Sequence, residues 1–89
     1  MTEREKLREG LEALRSEIKN LQGTDAASKQ RLEDLAERVE KQLAKTGEKN
    51  EHHNLIQELE EEIMRFEVAH PRLTAIINDL MVTLSNMGI

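Results

Sequence analysis

The chain has 89 residues, no cysteine and one aromatic residue, Phe66, and 35% of it is charged. That length fits one domain, excludes disulfides and thiolate metal sites, and leaves twelve Leu and six Ile to build most of the core. The net charge of −5 comes from residues 48–70, where seven acids stand against Lys49 and Arg65. With no basic stripe to meet phosphates, nucleic-acid binding is not expected.

A first helix should start at Thr2, because Thr2 and Glu5 form a T-x-x-E capping box. Leu7, Leu11, Leu14, Ile18 and Leu21 then repeat at steps of four and three, giving one apolar stripe. Gly10 lies beside that stripe, either as a point of close backbone approach or as a tolerated defect. The cations Arg4, Lys6, Arg8, Arg15 and Lys19 are interleaved with five Glu, which cancels any basic field. Gly23 is the natural stop, with Thr24 or Asp25 as the next N-cap.

The second helix is expected over about 26–45, with Leu32, Leu35, Ala36, Val39 and Leu43 on its buried side. Asp34–Arg38 and Glu37–Lys41 are favourable i,i+4 pairs on its wet side. Heptad phase is lost around Thr46-Gly47-Glu48, so a loop belongs there. Thr46 or Asn50 would cap a third helix over about 49–69, with Glu58, Glu60, Glu61 and Glu62 mostly outside.

From His52 onward a seam runs without interruption. His52, Ile56, Leu59, Ile63, Phe66, His70, Leu73, Ile77, Leu80, Leu84 and Met87 alternate steps of four and three, the a/d repeat of a coiled coil. It passes through Pro71, which disfavours helix at the residue before it but suits the first turn of a new one. The unbroken phase predicts a kink, or two abutting helices nearly in line, more than a reversal. The last helix, about 71–86, carries a wide apolar arc. Its opposite side is Thr74, Ala75, Asn78, Val82, Thr83, Ser85 and Asn86, with Asp79 as the only charge. An exposed helix face usually carries Lys and Glu, so this one should lie inside an assembly or against a partner.

Chemistry is sparse. His52 and His53 are adjacent and point to different sides of a helix, so they cannot chelate one ion, and no metal site is expected. At a core position His52 reads as a register residue that would make assembly pH-sensitive if buried at a symmetric interface. His70 reads as an N-cap-like residue over the helix junction. No second catalytic group stands near it, and Ser16, Ser28 and Ser85 lack nucleophile context, so neither enzyme activity nor a cofactor is expected. Met64, Met81 and Met87 suit ordinary core more than an adaptable binding surface. The N-terminal residues are charged from Glu3 on, with no signal-peptide stretch. The window Leu73–Met87 is too short and too polar to span a bilayer, so a soluble cytoplasmic protein is expected.

Phe66-Glu67, His70-Pro71-Arg72-Leu73-Thr74 and Leu84-Ser85-Asn86-Met87-Gly88-Ile89 resemble the closing signature of a family of small bacterial proteins, domain of unknown function 4404. The resemblance covers the last quarter of the chain. It implies a short, stand-alone cytoplasmic protein and brings no activity or ligand.

The sequence thus predicts an all-α domain of three to four amphipathic helices with coiled-coil-like packing, a hairpin or bundle. Its leading function is a non-enzymatic module that self-associates, a dimer first, through the seam residues above together with Pro71 and Arg72. The alternative is an adaptor that binds a different protein through the apolar last helix or the acidic third one. Both rest on one energetic expectation, that the seam of the second half is covered by another polypeptide.

Overall fold

The computed structural model describes residues 2–44 and 49–87, with side chains described for 2–43 and 53–86. Four helices follow in order: α1 (Glu3–Asn20), α2 (Ala26–Ala44), α3 (Lys49–Phe66) and α4 (Pro71–Met87). No strand occurs among the described residues.

Local chemistry sets the helix ends. The Glu5 N–H donates to Thr2 Oγ1 at 3.2 Å, and Glu3 and Glu5 in the first turn and Lys19 in the last complement the helix dipole of α1. Gly23 turns the chain with φ of +77°, a conformation that needs glycine. Asp25, rather than Thr24, caps α2: its Oδ1 accepts from the Ser28 N–H at 3.0 Å and its carbonyl from Lys29 at 3.1 Å. At the far end of α2 the Leu43 carbonyl accepts from the Arg4 guanidinium at 2.6 Å, which satisfies one of the free carbonyls of the last turn. Asn50 lies inside α3 and Thr46 outside the described residues.

Each helix packs on the next, and α4 packs back onto α1, so the four form a closed ring around one core. Cross-helix partners fix the direction. Arg4 meets Leu43, Arg31 meets Glu62, and Glu17 meets Arg72, which makes every neighbouring pair antiparallel. The result is an up-down-up-down four-helix bundle. Its radius of gyration, 12.3 Å, matches the ~12 Å of a compact single chain of this length.

The His70-Pro71 junction is a reversal, contrary to the kink or in-line junction expected from unbroken phase. α3 ends at Phe66, the His70 N–H donates back to the Phe66 carbonyl at 2.7 Å, and Pro71 opens α4 antiparallel to α3. Heptad phase reports which face is buried and carries no information on axis direction. A short corner that keeps both stripes toward one core preserves the four-three count through a U-turn.

A second expectation falls with it. Leu59, Leu73, Ile77, Leu80 and Leu84 are each 0–1% exposed within the single chain, packed in one cluster with the stripes of α1 and α2. These five residues of the ridge are covered within the single chain, by its own first half, and not by another polypeptide.

In α3 the buried line is Leu55, Leu59, Glu62 and Phe66, while Ile56 and Ile63 are only half-buried flanks. The helix is therefore rotated from the seam register toward α2, where Arg31 and Arg38 hold Glu62 and Glu58.

Gly10 is a point of close approach. A Cβ there would lie 2.8 Å from Cδ2 and 3.3 Å from Cγ of the fully buried Leu80. Gly10→Ala gains about 1 kcal/mol of helix propensity but overpacks a fixed side chain, a loss of about 1–3 kcal/mol. Urea unfolding should show a net loss of stability, and the same substitution in a Leu80→Ala background should be stabilising. Asp25 gives a second test. The hydrogen bonds from Ser28, side chain then backbone, and the Arg31 charge hold its carboxyl below the ordinary carboxylate range. Its contribution is present above the unfolded-state value and is lost as pH falls through the lower folded value. Asp25→Ala should lower the melting temperature at pH 7, and the gap to the parent should close below about pH 4.

Candidate interaction surface

The signature residues Phe66, His70, Pro71 and Thr74 build the corner between α3 and α4. The Phe66 and His70 rings pack tilted, with centroids 5.8 Å apart, and His70 Nε2 lies 3.3 Å from Thr24 Oγ1 in a hydrogen bond. The bond ties the α1–α2 loop to the α3–α4 loop at one end of the bundle. The His70 carbonyl accepts from the Thr74 N–H at 3.2 Å, making His70 the N-cap residue, and the Thr74 hydroxyl donates to the Pro71 carbonyl at 2.9 Å. Arg72 is 84% exposed and only 3.9 Å from Glu17. His70 and Thr74 are thus used in turning the chain, so this part of the motif is a structural corner.

The α2/α3 seam holds the main polar cluster. Glu62 is 3% exposed, its Oε2 accepts from Arg31 Nε at 3.0 Å, and Arg65 lies 3.9 Å from the same oxygen. Its Oε1 makes no hydrogen bond among the described residues. Glu58 pairs with Arg38 one turn away. Glu58 and Glu62 are thus not simply on the outside, as their sequence spacing suggests. Two arginines from the neighbouring helix offset their i,i+4 repulsion.

Of the remaining seam residues, Leu59, Phe66, Leu73, Ile77, Leu80 and Leu84 are core, and Ile56 and Ile63 are half-buried. The side chains of His52 and Met87 fall outside the described residues. Among the described residues no three His, Asp or Glu side chains converge on a possible metal position. A trough of about 570 Å³ runs between α1 and α2, lined by Arg15, Lys19, Glu33, Glu37 and Glu40 over Ile18 and Ala36. Its charges are of both signs, and Arg15 and Glu40 pair across it at 3.0 Å.

The outer face of α3 and α4 is different. Glu58 and Glu62 mark the side of α3 that faces α2, so the line Ile56, Glu60, Ile63, Glu67 lies on the opposite shoulder, toward α4. Likewise Leu80 and Arg72 mark the side of α4 that faces α1, which puts the line Thr74, Asn78, Met81, Ser85 on the shoulder toward α3. The groove between them has a half-buried apolar floor of Ile56, Ile63 and Met81, acids on one rim and uncharged side chains on the other. The three large apolar side chains exposed among the described residues also belong to this half: Met64 at 73%, Val68 at 92% and Val82 at 48%. Ion pairs cross the α1/α2, α2/α3 and α1/α4 seams, and none crosses α3/α4 among the described residues.

Thr74 and Thr83, placed outside by sequence, are buried, each with its hydroxyl donating to a carbonyl of its own helix. Of the side placed outside by sequence, Ala75, Asn78, Asp79, Val82, Ser85 and Asn86 remain exposed. The low charge of this face was visible in sequence. The exposure of Met64 and Val68 followed only once the α3 register and the corner were known.

The model of a family described as a domain of unknown function (DUF4404) matches residues 7–89. The chain belongs to that family. The match takes in nearly all of the bundle, far more than the C-terminal quarter that carries the resemblance by eye. No curated protein and no solved structure matches the chain. No described helix is long and apolar enough to cross a membrane.

The Glu62 pairing makes a stability prediction. Arg31→Met strands a buried carboxylate with only the more distant Arg65, and should destabilise by about 2–4 kcal/mol. Adding Glu62→Leu should restore most of that loss in urea unfolding, because the double variant buries no unpaired charge.

Proposed function

We propose that the protein is a small, non-enzymatic interaction module of the cytoplasm that docks another polypeptide on the outer face of α3 and α4. One observation carries this reading: exposed apolar side chains and excess charge are segregated onto the same half of the bundle. Residues 1–22 and 23–47 each carry five acids and five bases, while the acidic excess and Met64, Val68 and Val82 all fall in the second half. A chain whose core is already complete gains nothing in folding by exposing these side chains, and such surfaces mark interaction sites. The histidine and hydroxyl chemistry described in the corner and on α4 is engaged in holding the fold, which supports a non-enzymatic role.

A second reading, self-association, is favoured by a different feature. The outward side of α4 carries Asp79 and Arg72 as its charges, with Val82 at its centre, so two copies could pack α4 against α4 without like-charge repulsion.

A photo-activatable side chain at position 64 or 82, compared with one at Glu12 on α1, tests both in producing cells. Cross-links at 64 and 82 well above those at 12 are the expected result, and equal yields at all three positions overturn the docking face. Sedimentation equilibrium separates the readings: monomer mass at high micromolar concentration is expected, and dimer mass favours self-association.

A further inference from the structure

We infer that the α3/α4 groove takes a cationic amphipathic helix of a different protein, a reading that rests on the docking face proposed above. Three features of the groove select this occupant. It lies between two antiparallel helices about 26 Å long, which matches roughly 17–18 residues of a third helix laid along it. Its floor, Ile56, Ile63 and Met81, is apolar and half-buried, so a helix presenting Leu or Ile at i, i+3, i+4 and i+7 removes that surface from water. Its α3 rim carries Glu60 and Glu67, both exposed and neither in an ion pair to another helix among the described residues.

Carboxylates on one rim, facing an uncharged rim of Asn78 and Ser85, complement Lys or Arg on one flank of the incoming helix. The same acids oppose other occupants. Anionic lipid and nucleic acid are repelled, and a second copy seated in this groove would bring Glu60 and Glu67 near their own counterparts. Met64 and Val82 stand just outside the rims, where a helix seated in the groove would cover them. A flexible Met side chain suits a surface that receives a partner's apolar residues.

Synthetic peptides test the inference on the full chain. An 18-residue helix of Leu on one face and Lys on the other, carrying one Trp, reports binding by fluorescence because the protein has no Trp. A Leu/Glu twin and a scrambled Leu/Lys peptide are the controls. The Leu/Lys helix should bind with salt-sensitive affinity, and both controls should bind at least about tenfold more weakly. Glu60→Gln with Glu67→Gln, and separately Met64→Ser with Val82→Ser, should each weaken the Leu/Lys helix about fivefold, while Glu12→Gln leaves it unchanged.

Equal binding of the scrambled peptide or the Leu/Glu twin, indifference to the groove variants, or no binding at about 1 mM peptide would overturn the assignment. Failure here with specific cross-links at 64 and 82 overturns only the partner's chemistry. Loss of those cross-links overturns the docking face itself.

Discussion

The packing of α4 onto α1 is the contact that turns two helical hairpins into one bundle. Each helix has a narrow apolar stripe, and a hairpin of two such helices leaves half of each stripe wet. Closing the ring puts Leu80 against Gly10 and gives every stripe two neighbours. Ten of the largest core side chains, among them Leu7, Leu32, Leu59 and Leu80, are then essentially sealed from solvent. Gly10, which looks like a helix defect in isolation, is a point of close approach in this closure.

Much of the fold was legible because its information is local. Thr2 and Glu5 announce a helix start, Gly23 and Asp25 a stop and a restart, and the four-three spacing marks which side of each helix is buried. The reversal at Pro71 was not legible, since the count of apolar residues runs on through a corner as smoothly as along a rod. The rotation of α3 was hidden for another reason. Its buried line includes Glu62, and nothing in the local pattern shows that Arg31, thirty-one residues earlier, will be there to receive it.

The same distinction applies to the surface. Sequence shows that residues 71–89 carry one acid and one base, and so mark a helix unlike its neighbours. It does not show which uncharged residues are outside, and Thr74 and Thr83 turn inward because their hydroxyls find carbonyls in their own helix. The signature around His70 stands out by eye, yet the structure uses it to build a bend. The residues with surface to offer, Met64, Val68 and Val82, are inconspicuous in the sequence.

Ring closure also has a consequence for synthesis. The contact between Gly10 and Leu80 joins residues seventy positions apart, and two of the four seams involve α4. A nascent chain can form its first hairpin while still on the ribosome, but its apolar stripes stay partly wet until the last helix has cleared the exit tunnel. The core of this bundle therefore stays incomplete until α4 has emerged and docked on α1 and α3.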